Sequence, residues 1–195
     1  MQNKVPTFAN DRTIPTCGAP GFGPDLCIVI VHIATGSNLG DRIDHLDAAD
    51  DALNALGRVL RVSPTYETAA FGMAPGTPDF LNRVVELALD DRWGSDPEGL
   101  MQALLRIEQD MGRTRTGGAV TSRPIDLDIV LWGDRSIDLP DLTVPHARML
   151  GRRFVLQPLA DLVPEHLIPG TQRTVAEHLQ DLPADVPDIA PWPKP

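Results

Sequence analysis

The spacing of apolar residues divides the middle of the chain into six elements. Residues 27–34 form a β-branched apolar run that reads as a buried strand, ended by Thr35-Gly36-Ser37-Asn38. From 41 to 56, Ile43, Leu46, Ala49, Leu53 and Leu56 recur at helical spacing, and Gly57 reads as the terminator. Residues 58–66 and 81–89 read as strands, separated by a Gly- and Pro-containing connection over 68–80. A second helix opens at Asp96-Pro97-Glu98, carries Leu100, Leu104, Ile107 and Met111 on one stripe, and stops at Gly112. A polar loop over 113–123 leads into a strand over 125–132.

The order strand, helix, strand, strand, helix, strand predicts an α+β fold: a ferredoxin-like βαββαβ sandwich with an added C-terminal β-hairpin strand and helices. Alternating directions then bring the loops 36–40, 68–80 and 113–123 to one end of the sheet, with the starts of the third and fourth strands. The turn at Gly133-Asp134 should send a short strand back to that end, carrying Val144-Pro145-His146, Arg148, Arg152 and Arg153. Long loops meeting at one edge suggest a site. Outside this core, nine of the 19 prolines fall in the first 24 and last 15 residues. Proline continues neither helices nor central strands. The expected organisation is an extended arm over 1–25, one domain over 26–182, and a Pro-rich tail over 183–195.

The chemistry at that edge is coherent. In residues 125–131 the odd positions are all apolar, so Asp126 and Asp128 point together to the other face. Their Cα atoms are roughly 6 to 7 Å apart on a strand, and hard carboxylate oxygens suit Mg²⁺ shared with a substrate's phosphates. The plainer alternative is two acids facing water. Beside them, Arg113, Arg115 and Arg123 place three positive charges and no acid within eleven residues. His146, Arg148, Arg152 and Arg153 add a second basic island. Guanidinium and metal are complementary ways to neutralise a triphosphate. Glu108 lies near the apolar stripe of its helix, either at a solvated boundary or turned to the site. Asn82 could offer a donor and an acceptor to a planar ligand, and Phe80 and Phe154 could sandwich a flat heterocycle as readily as fill a core.

Composition narrows the partners. The 195 residues carry 17 Lys and Arg against 27 Asp and Glu, a formal net charge of -10. That balance repels a general nucleic-acid partner, so an anion needs a local basic pocket. Hydrophobic residues at 42% and charged residues at 23% exclude a fully disordered chain. The longest apolar run is too short for a bilayer, with no export signal before it, and two cysteines without metal-ligand spacing fit a cytoplasmic setting.

Six blocks, Ile33-Ala34-Thr35-Gly36-Ser37-Asn38-Leu39-Gly40-Asp41-Arg42, Tyr66-Glu67-Thr68, Phe80-Leu81-Asn82, Ile107-Glu108 with Met111-Gly112-Arg113, Arg123-Pro124-Ile125-Asp126-Leu127-Asp128-Ile129 and Val144-Pro145-His146, resemble the 6-hydroxymethyl-7,8-dihydropterin pyrophosphokinases of folate biosynthesis. The resemblance runs in order from about residue 28 to 170. It implies transfer of pyrophosphate from ATP to 6-hydroxymethyl-7,8-dihydropterin, releasing AMP, by a monomer or weak homodimer. It further implies that Asp126 and Asp128 hold two Mg²⁺ ions, and that Arg113, Arg115 and Arg123 are catalytic and phosphate-binding. Glu108, Ile129, Thr143, His146 and Arg152 would complete the ATP side. Thr68, Ala69, Phe71, Phe80, Asn82 and Phe154 would take the pterin. The sequence departs from the family pattern at 119–121, at Ala147 and at Leu105. Two other classes share parts of this pattern. A non-catalytic ligand sensor would not need the Asp pair, and an RNA-recognition domain needs exposed aromatics and a basic sheet face.

Overall fold

The computed structural model describes residues 28–70, 73–114 and 121–193. The expected arm over 1–25, Phe71 and Arg115 lie outside the described residues. In chain order the elements are β1 (Ile30–Ser37), α1 (Arg42–Leu53), β2 (Gly57–Val62), β3 (Thr65–Thr68), β4 (Phe80–Leu89), α2 (Pro97–Asp110), β5 (Asp126–Trp132), β6 (Ile137–Leu139), β7 (Leu142–Val144), α3 (Arg153–Leu162), α4 (Val175–Gln180) and β8 (Ile189–Trp192). The large sheet is antiparallel in order β5-β1-β4-β3-β8, with β2 pairing the other half of β4. No helix among the described residues is long and apolar enough to cross a membrane.

Apolar side chains on both faces explain the layering. Val31, Ile33, Leu81, Val85, Leu87, Leu127 and Ile129 pack with Leu46 and Leu53 of α1 and Leu100 and Leu104 of α2. On the opposite face Val84 and Val130 pack with Val155, Leu156 and Leu159 of α3 and Val175 of α4. Strand β4 is therefore buried along its whole length. Helix α1 starts where the Asp41 side chain accepts from the Asp44 amide, and α2 where Asp96 accepts from the Gly99 amide at 2.9 Å. Gly112, at φ +90°, lets the chain leave α2 in the left-handed region that glycine tolerates.

Three local features differ from the sequence reading. The strand expected over 58–66 is two strands, because Pro64 has no amide to donate. Ser63 bridges the break: its amide donates to the Val84 carbonyl and its hydroxyl accepts from the Val84 amide, both at 2.9 Å. Gly57 does not terminate α1, which ends at Leu53. It opens β2, where a Cβ would stand 2.1 Å from the Ala88 carbonyl oxygen, so close strand approach requires glycine there. The Pro-rich C-terminal segment contributes β8, an edge strand paired to β3 with Pro191 opposite Tyr66. An edge position tolerates a residue without an amide proton.

The register also sets the site. Gly36 of β1 lies opposite Asn82 of β4 on one side and Asp126 of β5 on the other, and Ala34 lies between Val84 and Asp128. Directly opposed residues share a face, so Asn82, Asp126 and Asp128 project from the face that α3 covers further along. Two small residues, Gly36 and Ala34, form the floor between them.

At the far end of that face His32, Glu86 and Arg61 stand side by side across β1, β4 and β2. The His32 Nε2 lies 3.3 Å from Glu86, two Arg61 nitrogens donate to the same carboxylate at 2.5 and 3.0 Å, and the third donates to the Leu162 carbonyl at the end of α3. Burial by itself would raise the Glu86 pKa, but the hydrogen bonds from His32 and Arg61 overcome it and bring it down to about 2. A depressed carboxylate stabilises the fold above its ordinary value of 4.5 and loses that contribution as pH falls through 2. Across α1, burial raises Asp50 to about 6 despite the Arg83 guanidinium beside it, which acts with the opposite sign between pH 3.8 and 6. The Glu86 effect is therefore read as a difference: wild type should exceed Glu86→Gln by about 2 kcal/mol at pH 6 in urea unfolding. That margin should shrink below pH 4.5 and vanish near pH 2; a pH-independent difference would contradict the assignment.

Candidate active site

Asn38 ties together the three loops expected to converge. Its amide donates to the Arg123 carbonyl at 3.2 Å, and its side-chain oxygen accepts from the Arg123 amide at 2.8 Å. Its side-chain nitrogen donates to the Pro78 carbonyl at 3.1 Å and to the Ser122 hydroxyl at 3.0 Å. The residue is 1% exposed. A buried amide with its hydrogen bonds satisfied in this way holds the loops after β1, before β4 and before β5 in one arrangement.

Arg113 and Arg123 converge on one carboxylate. Arg113 donates to Asp126 Oδ1 and lies 2.5 Å from Glu108 Oε1, while Arg123 reaches Asp126 Oδ2 at 2.7 Å. The Glu108 carboxylate, 1% exposed as a residue, also accepts the Leu127 amide at 2.8 Å. It thus fixes Arg113 and the start of β5 together, which is the inward of its two sequence readings. The guanidinium of Arg123 sits 5.2 Å from the Phe80 ring centroid.

Asp128 stands in a different setting. Burial, then the neighbouring Asp126 charge, raise its pKa, opposed by His146, Arg152 and Arg123. Burial lowers the pKa of His146, with Arg152 and Arg148 adding to the effect against the pull of Asp128. Neutral His146 accepts the Arg148 amide at Nδ1, 3.3 Å away, so its proton lies on Nε2, the nitrogen 3.9 Å from Asp128. A β-bulge places this ring. Ile33 pairs with Ile129 and His32 with Leu131, leaving Val130 as the extra residue, and the Val130 carbonyl accepts the His146 amide at 3.1 Å. The hairpin of β6 and β7, anchored in the core through Ile137, Leu142 and Val144, carries the chain to that point. Arg152 follows a short helical turn anchored by the fully buried Met149, and its guanidinium lies 5.5 Å from the Phe154 ring centroid.

On the other side of Gly36, Asn82 donates to the Thr68 hydroxyl at 2.8 Å. A Cβ on Gly36 would stand 2.9 Å from Asn82 Oδ1 and 3.7 Å from the Phe80 ring, so glycine is what leaves room there. Thr68 is opposite Phe80 in the sheet and lines a cleft of about 90 Å³ with Ala69, Arg152 and Phe154.

The structure thus brings together Thr68, Phe80, Asn82, Arg113, Arg123, Asp126, Asp128, His146, Arg152 and Phe154. The Ile129 side chain lies in the core with α1 and α2 and does not face the site. Thr143 is exposed on β7. Arg153 turns toward Asp188, 3.6 Å away. Arg115 and Phe71 lie outside the described residues. Sequence reasoning missed the roles of Asn38 and Gly36, and that of Arg42. The Arg42 guanidinium donates to Glu67 at 2.9 Å and to the Asp79 carbonyl at 2.8 Å. The polar cluster in Gly36-Ser37-Asn38 immediately after a buried strand was the available signal. Among the described residues no group of three or more His, Cys, Asp or Glu side chains could hold a metal. Two adjacent carboxylates, one of them half-exposed and held above its ordinary pKa by burial and its neighbour, still fit a hard cation that takes its remaining ligands from phosphate and water.

A model of the 7,8-dihydro-6-hydroxymethylpterin-pyrophosphokinase (HPPK) family matches residues 32–164. The chain is 41% identical over 159 residues to a 2-amino-4-hydroxy-6-hydroxymethyldihydropteridine pyrophosphokinase from Pseudomonas aeruginosa, covering 80% of this chain and 91% of the relative. A Synechocystis protein of the same name is 36% identical over 163 residues, covering 83% and 78%. A crystal structure of a Plasmodium falciparum HPPK-DHPS double mutant with pterin and p-hydroxybenzoate superposes with a TM-score of 0.63 at 15% identity, over 78% of this chain and 43% of that one, and so bears on the fold alone. With the family model spanning strands β1 to β7 and helices α1 to α3, and with relatives matched over most of their length, the chain belongs to the 7,8-dihydro-6-hydroxymethylpterin-pyrophosphokinase family.

Proposed function

We propose that this protein transfers pyrophosphate from ATP to 6-hydroxymethyl-7,8-dihydropterin, giving the pterin diphosphate and AMP, in tetrahydrofolate biosynthesis. The observation that carries the reading is the row Asn82, Gly36, Asp126 across three strands, within a chain of this family. It offers a polar group for a planar edge, an open floor, and a carboxylate flanked by two arginines. We read the core as the ferredoxin-like arrangement, extended by the β6-β7 hairpin, α3, α4 and β8.

Release of AMP requires the acceptor's hydroxymethyl oxygen to attack the β-phosphorus. The bond from that phosphorus to the oxygen bridging it to the α-phosphorus breaks, AMP leaves with the bridging oxygen, and the hydroxyl proton is lost. Such a transfer asks little covalent work of the protein, so positioning and charge neutralisation carry the rate. Asp126 and Asp128 are the residues that would hold Mg²⁺, two ions in our reading, and bound there the metal would neutralise triphosphate charge. Arg113 and Arg123, which pair with Asp126, would exchange that carboxylate for phosphate oxygens as ATP enters. Glu108 keeps Arg113 oriented throughout. His146, with its proton on Nε2, and Arg152 take further phosphate oxygens, while Asn82, Thr68, Phe80 and Phe154 hold the heterocycle.

Incubation with Mg²⁺, ATP and the reduced pterin should yield AMP in step with pterin consumed; ADP as the nucleotide product would sink the assignment. Asp128→Ala should cost at least about 10³-fold in kcat with little change in thermal midpoint, since Asp128 supports no packing and only a 3.9 Å contact to His146. Turnover near the wild-type value would remove the carboxylate pair from the mechanism. Arg123→Ala should lower kcat by about 10²- to 10³-fold, whereas pterin affinity should change by no more than about fivefold, the scale of one cation–π contact. Equal losses in both would contradict a role centred on the phosphates.

A further inference from the structure

The cleft beside Thr68 and Phe154 has a wall that belongs to none of the six sequence blocks. Asp185, Val186 and Pro187, from the segment after α4, line it together with Thr68, Ala69 and Phe154. Val186 is partly buried against the core beneath α3, and its amide donates to the Pro183 carbonyl at 3.1 Å, so the wall is a defined turn. Beyond it the chain is attached at three points. Asp188 lies 3.6 Å from Arg153, β8 pairs with β3 over Thr65 to Thr68, and Trp192 lies beneath Arg42 with its ring centroid 5.2 Å from the guanidinium carbon. Arg42 in turn holds Glu67 and the Asp79 carbonyl, the neighbours of Thr68 and Phe80. The cleft adjoins the candidate site, because Thr68, which lines it with Arg152, accepts from Asn82 at 2.8 Å.

We infer that Val186, backed by Pro187 and held by the β8 attachment, is a specificity-determining residue that limits the bulk of the heterocycle the cleft admits. The inference rests on the pterin reading above. An apolar wall facing an aromatic ring and a threonine suits a flat ring edge, and its rigidity sets how far a substituent on that ring can extend. The attachments matter because a free tail would yield to a larger ligand, whereas a strand hydrogen-bonded to β3 does not.

The test is calorimetric binding of the reduced pterin and, separately, of a non-hydrolysable ATP analogue with Mg²⁺, to the full chain. Val186→Trp puts a large ring in the cleft and should weaken pterin binding at least tenfold while nucleotide affinity stays within twofold. Unchanged pterin affinity in the folded variant overturns the inference. Val186→Ala is the second variant: it should lower by at least threefold the preference for the parent pterin over a derivative bearing one extra alkyl group on the ring. An unchanged preference overturns it even if the Trp variant does not fold. Failure of the wild-type chain to bind the parent pterin would instead overturn the functional reading itself, and the inference with it.

Discussion

Asn38 joins Arg123 in both directions, through its own amide and through its side-chain oxygen, and uses the remaining donors on Pro78 and Ser122. The strands bring their ends to the same edge, but β1 pairing stops at Asp126 on one side and at Leu81 on the other, and β1 continues into loop after Ser37. Without a buried amide that matches several backbone groups at once, the loops before β4 and β5 would have no common reference. An aspartate in its place would lack the donor for Pro78, and a leucine would leave the Arg123 amide unpaired; leaving buried polar groups unmatched costs about 1 to 3 kcal/mol each. The position of Arg123, and through it the environment of Phe80 and Asp126, depends on this one residue.

The same edge resolves an electrostatic conflict. A chain of net charge -10 must present a cationic face to a triphosphate. It does so by pairing: Asp126 holds Arg113 and Arg123, and Glu108 holds Arg113 from behind. Both guanidinium groups are thereby fixed beside one carboxylate at the end of the sheet. Among the described residues Asp128 has only the 3.9 Å contact to His146, and burial beside the Asp126 charge raises its pKa. The partners of the two carboxylates differ: Asp126 faces two arginines at the sheet edge, whereas Asp128 has His146 3.9 Å away.

Much of this was legible in the amino-acid sequence, for physical reasons that name their residues. The alternation over 125–131 put Asp126 and Asp128 on one face, and the stripe of Leu100 and Leu104 made α2 amphipathic. Both are local periodicities, and tertiary packing had no cause to override them. What was not legible depends on partners distant in the chain. Ser63 replaces a ladder acceptor only because Val84 is opposite. Gly57 is required by the Ala88 carbonyl and not by the end of its own helix. The bulge at Val130 ends the strict alternation, sending Val130 and Leu131 to one cluster and Trp132 to the other, and no local rule announces it. Glu108 read as ambiguous because its deciding contacts, Arg113 and the Leu127 amide, lie across a loop.

The Pro-rich end shows the same limit from the other side. Four prolines within residues 183–193 lower the conformational freedom of the unfolded segment, so ordering it costs less than ordering an average one. Composition alone therefore did not distinguish a tail from a strand; what decides is whether an edge is free to receive it. Strand β3 is short, four residues, and β2 pairs a different half of β4, so one side of β3 is left open beside Thr68. An open edge next to a ligand cleft would expose unpaired backbone groups and invite association with another chain. Covering it with β8 removes that hazard and, because the covering segment must pass from α4 to β3, brings Val186 and Pro187 into the lining of the cleft. Edge protection and the shape of the cleft are thus consequences of one chain path.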